Sequence, residues 1–134
     1  MMSAKVVNAT DLRRDNASYV DPQGFVFHYQ DKLFRCIYPD SLKLFQHIEE
    51  QALFQHFIAN CNLVPTKRAD FIISDQPDAL VLEHQKIWPL TYPVEWCPSM
   101  LKKAGELTID FAIELLKYGL TLQDANPWNI VFKG

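Results

Sequence analysis

The sequence lacks the features that mark several large classes of protein. It has no Cys-x-x-Cys pair, and Cys36, Cys61 and Cys97 are far apart, so we expect neither a zinc site nor a disulfide framework, and a reducing compartment fits best. No apolar run approaches the roughly 18–20 residues that a membrane span requires. No basic N-terminal segment leads into an apolar core. These absences predict a soluble cytoplasmic protein that has no membrane partner.

An excess of positive charge is also missing. The chain has 13 Lys and Arg against 16 Asp and Glu, for a net charge of -3, which argues against a nucleic-acid partner because such binding needs clustered cations. What is present is an ordinary globular composition, with 49% apolar and 22% charged residues. The 134 residues are enough for one domain with a real core.

The first part of the chain predicts a small antiparallel sheet. Residues 24–29 (GFVFHY) and 33–38 (LFRCIY) are rich in aromatic and β-branched residues, and we expect a hairpin with its turn at residues 30–32. Short apolar runs at 71–73 and 80–83 flank a turn cluster at 75–78 and predict two more strands. The apolar start at Val6-Val7 leaves an edge strand and a loose arm as alternatives.

Two helices are expected beside this sheet. Apolar residues recur at helical spacing over residues 41–60, with Glu49 and Glu50 on the polar face. A proline- and tryptophan-rich connector at 87–98 then leads to a longer helix from Ser99, ended by Gly119. The residues predicted to form its apolar face are Leu101, Ala104, Thr108, Phe111, Leu115 and Tyr118. The predicted fold class is α+β, with residues 1–86 as the sheet region and residues 87–134 as connector, helix and loop, and we expect the two regions to form one compact unit.

The closing stretch DANPWN resembles the catalytic loop of protein-kinase-like phosphotransferases. Asp124 precedes Asn129 by five positions, after a helix and before the apolar run at 130–132. In kinases an Asp meets the acceptor hydroxyl while an Asn holds magnesium on the phosphates. The element order also resembles a kinase small lobe, followed by the hinge and the first long helix of the large lobe. By the residues alone, Asp124 and Asn129 are equally explained as turn formers.

A closer resemblance covers nearly the whole chain. The chain is similar to a bacterial family of large proteins that have a kinase-like region, often followed by an S-adenosylmethionine-dependent methyltransferase domain, and that include nodulation-related proteins. The stretches that carry the resemblance are LEH at 82–84, PLTYPVEW at 89–96, SML at 99–101 and LQDANPWN at 122–129. The resemblance implies that this chain is the N-terminal piece of such a protein, with a downstream methyltransferase domain as a partner.

The resemblance also implies site residues. Asp124 is the expected catalytic residue, and Asn129 the expected magnesium ligand. Arg35 stands where kinases have the phosphate-binding Lys, and Glu49 or Glu50 is its expected ion-pair partner. Magnesium and ATP are the cofactors expected in the complete protein, with a small-molecule acceptor; neither cofactor is expected to bind this chain tightly.

Other features argue against catalysis by this chain alone. The turn at 30–32 has no glycine, Leu122 and Gln123 replace the His and the Gly or Arg that usually precede the catalytic Asp, and the sequence ends before a second metal-binding Asp. Our leading hypothesis is therefore a kinase-like fragment that is inactive in isolation, with self-association through a strand at 130–132 as a further expectation. The alternatives are a non-catalytic ligand-binding or docking scaffold for a methyltransferase or sugar-modifying partner, and a stand-alone α+β protein.

Overall fold

The computed structural model describes residues 3–18 and 21–133. The chain divides into two units, residues 1–86 and residues 87–134. The helices and strands in chain order are β1 (Lys5–Val7), β2 (Arg13–Arg14), β3 (Gly24–Tyr29), β4 (Lys32–Ile37), α1 (Leu42–Glu50), α2 (Leu53–Asn60), β5 (Thr66–Arg68), β6 (Phe71–Ile73), β7 (Leu80–His84) and α3 (Pro98–Leu116). The predicted α+β class, with a small antiparallel sheet, is confirmed.

The first unit is built on a five-stranded antiparallel sheet in the order β2-β3-β4-β7-β5. The hairpin β3-β4 is confirmed, and its turn is formed by Gln30 and Asp31, both with positive φ (49° and 63°), as a two-residue hairpin turn requires. Gly24 pairs with Ile37 at the other end, where an added Cβ would lie 1.8 Å from the Cys36 carbonyl oxygen. No side chain fits there, so the strands approach closely.

Alternation along these strands gives the sheet two apolar faces. One face carries the larger core cluster and is covered by a separate two-stranded parallel sheet, β1-β6. Val6-Val7 is thus a paired strand, which settles that alternative. The opposite face carries Ile37, Leu80 and Leu82, against which side chains of α1 and α2 pack. The strands β2 and β5 are too short to have shown periodicity in the sequence.

The helix predicted over residues 41–60 is in fact two helices, so this prediction was wrong. Ala52 has φ +53°, in the left-handed region, and an L-residue there interrupts an α-helix. The interruption lets Phe45 of α1 stack on Phe54 of α2, with ring centroids 6.5 Å apart, while both pack on the sheet. Leu44 lies on the face we had expected to be apolar and is exposed. The apolar pattern in the sequence therefore ran together the apolar faces of two separate helices, α1 and α2.

In the second unit, α3 ends as predicted. Gly119 has φ +70°, its N–H donates to Leu116 O at 3.2 Å, and the N–H of Leu120 donates to Leu115 O at 3.0 Å. This is the hydrogen-bond pattern of a Schellman cap. The predicted apolar face is only partly right, because Ala104 and Leu115 are buried whereas Leu101 and Tyr118 are exposed.

The connector and the closing segment of this unit contain single 3₁₀ turns, Pro93–Glu95 and Pro127–Asn129. Trp96 is buried, donates through Nε1 to Thr91 Oγ1 at 3.0 Å, and meets the Phe132 ring edge-on with centroids 4.9 Å apart. Residues 130–132 do not form a strand. The open strand edge on which the expected self-association depended is therefore not there.

Candidate functional site

The candidate residues fall into two groups by unit. Arg35, Glu49 and Glu50 lie in the first unit, whereas Asp124 and Asn129 lie in the second. Arg35 stands mid-strand on β4, opposite Val26 of β3 and Leu82 of β7. β4 is the central strand of the five-stranded sheet. Arg35 lies on the same face as Ile37, against which side chains of α1 and α2 pack.

Arg35 is paired with a residue that the sequence did not single out. Its Nη1 lies 2.6 Å from Asp21 Oδ2, and the other carboxylate oxygen of Asp21 accepts from the N–H of Gln23 at 2.9 Å. Both side chains are largely covered, at 33% and 21% exposure, so solvent screens this pair less than an open surface pair. Asp21 lies in the connection between β2 and β3, just before Pro22.

The expected ion pair between Arg35 and Glu49 or Glu50 is wrong. Glu49 instead binds Arg68 of β5 with both oxygens, at 2.7 Å from Nε and 2.6 Å from Nη2. Glu50 is exposed. The physical reason lies in the sheet order, because β5 is the edge strand beside β7 and presents Arg68 towards α1. Hydrogen bonding to Glu49 raises the pKa of the Arg68 guanidinium further above its usual range.

A cavity of about 270 Å³ opens beside this second pair. Its lining residues are Glu49, Phe54, Gln55, Thr66, Lys67, Arg68 and Leu82. Its acid, Glu49, already neutralises one of its two cations, Arg68. The cavity thus has an apolar floor and a rim whose strongest charges satisfy each other.

His84 lies at the end of β7, on the same sheet face as Arg35 by strand register. The Thr66 hydroxyl donates to Val64 O at 2.8 Å, so the 2.8 Å contact between Thr66 Oγ1 and His84 Nδ1 has the imidazole N–H as donor. Burial, and secondarily the charge of Arg35, lower the pKa of His84 to about 4. His84 is therefore a hydrogen-bonded structural histidine.

In the closing loop, Asp124 and Asn129 are connected through the backbone. Asp124 Oδ1 accepts from the N–H of Asn126 at 2.9 Å, and Asn126 Oδ1 accepts from the N–H of Trp128 at 3.0 Å. The Asn129 amide then donates to the carbonyl oxygen of Asp124 at 3.3 Å. These bonds fold the five-residue interval into a closed loop on the surface. The loop holds Asp124 and Asn129 side by side, and it also gives Asp124 a turn-forming role.

Magnesium does not fit the residues present. After the loop hydrogen bonds, Asp124 and Asn129 offer about one free carboxylate oxygen and one amide oxygen, whereas magnesium needs an octahedron of oxygens and dehydrates reluctantly. Across residues 3–18 and 21–133, no group of three His, Cys, Asp or Glu side chains is placed to hold a metal ion. This loop would need a further ligand from elsewhere.

Of the four aromatic residues Trp88, Tyr92, Trp96 and Trp128, Trp96 is buried. Trp88, Tyr92 and Trp128 are exposed, although the rings of Tyr92 and Trp128 lie 5.5 Å apart.

Cys36, Cys61 and Cys97 are all free thiols. Burial raises the pKa of the Cys36 thiol to about 11, so that group is protonated at neutral pH and unreactive.

In the part of the chain that the structure describes, no helix combines the length and apolar character needed to cross a bilayer. No family model matches the sequence, and no solved structure matches it.

The chain is similar to a protein named "Nodulation protein NoeA" from Rhizobium meliloti (strain 1021), with 30% identity over 138 aligned positions. The alignment covers 100% of this chain and only 29% of that protein. The chain therefore spans less than a third of the relative's length. The nodulation-related part of the resemblance is thereby supported. The kinase-like and methyltransferase parts are not addressed by it.

Proposed function

We propose that the chain is a kinase-like region of a longer nodulation-related protein. In this proposal it carries part of a phosphoryl-transfer-type site and does not transfer phosphoryl groups on its own. Arg35 would bind phosphates, and Asp124 and Asn129 would be the acceptor-facing and metal-facing members of the loop. ATP is the proposed nucleotide, a small molecule the acceptor, and the cytoplasm the location, which the three free cysteines support.

The observation that carries this proposal is the position of Arg35. In kinases the phosphate-binding Lys stands on the third strand of the small-lobe sheet. Arg35 stands on the third consecutive strand of the five-stranded sheet, β2-β3-β4, although its acidic partner is Asp21 and not a residue of α1, the helix that follows. An Arg there can hold phosphate through a planar fork of donors, which a Lys cannot offer.

The closing loop gives independent support from the second unit. It follows a long, glycine-capped helix, and the Asn129 side chain donates to the backbone carbonyl oxygen of Asp124, which keeps the two residues in one tight turn. An Asp and an Asn in such a turn are the residue types that meet the acceptor and the metal in kinases, although here a metal would need further ligands from outside the loop. Similarity to a relative of which this chain matches 29% supports only the proposal that the chain belongs to a longer protein. A methyltransferase region as the accompanying part is proposed from the resemblance of the sequence alone.

Nucleotide binding tests the proposal. A non-hydrolysable ATP analogue with magnesium, titrated into ¹⁵N-labelled protein, should bind weakly, with a Kd on the order of 1 mM, and should perturb residues around Arg35. Arg35→Ala should weaken binding about tenfold, because one charge-assisted phosphate contact is lost. Lys5→Ala, which removes the same charge from the exposed start of β1, is the matched control. Equal affinities for the two variants would contradict the proposal.

A second function, a non-catalytic scaffold, is favoured by the Arg35–Asp21 pair. A carboxylate 2.6 Å from the guanidinium already occupies the place where a phosphate oxygen would bind, and Asp124 Oδ1 is likewise used within its own loop. The scaffold predicts no nucleotide binding even when Asp21 is neutralised, with the fold intact. That result would leave ligand binding or docking onto a methyltransferase or sugar-modifying partner as the proposed role.

A further inference from the structure

A stripe of apolar side chains runs along the outer surface of α3. Leu101, Ile109, Ile113 and Leu116 are 47%, 61%, 54% and 64% exposed. Their spacing of eight, four and three residues places all four on one side of a helix. The buried residues Ala104 and Leu115 lie on the neighbouring side, so the stripe adjoins the packed face at Leu101 and extends beyond it. We call these four residues, together with Gly105, the α3 stripe.

Gly105 adds a second observation on the same line. It lies four residues from both Leu101 and Ile109, and a Cβ built there meets nothing within 4 Å. Glycine inside a helix costs about 1 kcal/mol relative to alanine, and the contacts of the described residues give no reason for it. A missing side chain in the middle of an apolar stripe lets another backbone approach the helix closely.

The size of the α3 stripe indicates what kind of surface covers it. Two copies of this chain joined through four half-exposed side chains would bury roughly 800 Å² in total, below the about 1,200 Å² typical of stable specific interfaces. Surfaces joined by one polypeptide need less, because the covalent link removes most of the entropy cost of association. Interfaces between domains of one chain begin at about 600 Å².

We infer that the α3 stripe is the docking surface for the rest of a longer protein of this kind, and that the docked surface is apolar. The relative from R. meliloti aligns with this whole chain and has 71% of its own length outside the alignment, which supplies such a surface within one polypeptide. This inference depends on the proposed membership in a longer protein and not on the phosphate chemistry.

The binding test uses the R. meliloti protein with the aligned region deleted as its probe. Added to ¹⁵N-labelled chain, the probe should shift the amides of α3 with micromolar affinity. Ile109→Lys/Ile113→Lys should weaken binding at least tenfold. Val94→Lys, at an 83% exposed apolar position outside the stripe, should leave binding unchanged. Binding that both variants retain, or a concentration-dependent dimer of this chain formed through α3, would overturn the inference.

A second measurement, of thermal unfolding, tests the inference even if the R. meliloti protein without its aligned region does not fold. In this chain, Ile109→Lys/Ile113→Lys should leave the unfolding midpoint within about 1 °C, as expected for exposed positions. Lys introduced at the two aligned positions of the intact R. meliloti protein should lower its midpoint by several degrees. Equal, negligible shifts in both proteins would show that the stripe is uncovered in the longer protein as well. Nucleotide binding is a separate readout, so the failure of one proposal leaves the other standing.

Discussion

The two units bury their apolar side chains to very different extents. Among the described residues, thirteen of the sixteen buried apolar side chains lie in residues 1–86, whereas ten of the twelve exposed large ones lie in residues 87–134. The first unit has a sheet with both faces covered, and its central Arg35 is paired. The second has one long helix and two turns, too few elements to enclose a core. The first unit is therefore the self-sufficient one, and the second presents surface for other contacts.

The largest expected effect is in the core of the first unit. Phe27 is fully buried and stacks against Phe34 with centroids 5.4 Å apart, so Phe27→Ala should lower the free energy of unfolding by about 3–5 kcal/mol. Urea denaturation followed by fluorescence would measure this. A loss below about 1 kcal/mol would mean that the first unit is no better packed than the second.

Acid should destabilise the first unit through His84. Its pKa is lowered to about 4 in the folded protein, against about 6.5 in an unfolded chain, so the unfolded state binds the extra proton between these values. Stability is therefore complete above about pH 6.5 and decreases by about 3 kcal/mol as the pH falls to 4. His84→Asn, whose amide can replace Nδ1 as the donor to Thr66, should abolish this slope. An unchanged slope in the variant would assign the effect to another group.

Neighbouring leucines of α3 offer a matched pair in the second unit. Leu115 is 6% exposed and Leu116 is 64% exposed, and the two share helix propensity and chemistry. Leu115→Ala should cost about 2 kcal/mol, at the low end for a buried leucine, whereas Leu116→Ala should stay within about 0.5 kcal/mol. Similar losses at both positions would erase the distinction between the packed side of α3 and the α3 stripe.

The smallest stability change is expected at Asp124. Asp124→Asn keeps an oxygen that can accept from the N–H of Asn126, so the free energy of unfolding should change by less than about 1 kcal/mol. In a protein that transfers phosphoryl groups, the same change should lower turnover by about 10²–10⁴, the usual contribution of a positioned acid–base group. A large loss of stability with normal turnover per folded molecule would make Asp124 a turn former only.

The features that could be predicted from the sequence are those with a strong local signal. The hairpin and the helix cap were predictable because Gly24–Tyr29 and Gly119 carry strong local signals. The break at Ala52 was not, because alanine has no local preference for a left-handed conformation. Arg35 was singled out by its position in the strand, but its partner Asp21 is fourteen residues away, and a pairing between residues so far apart leaves no local signal in the sequence.

We propose that Arg35 is a phosphate-binding residue and that the Asp21 carboxylate occupies its guanidinium in the free chain. The most direct measurement is the affinity of magnesium and a non-hydrolysable ATP analogue for the wild-type chain and for Asp21→Asn. Asn at position 21 removes the competing charge while keeping the hydrogen bond to Gln23. We therefore expect the variant to bind the nucleotide analogue about threefold to tenfold more tightly than the wild-type chain. Adding Arg35→Ala should abolish this gain in affinity. An unchanged affinity in a correctly folded Asp21→Asn protein would contradict the account.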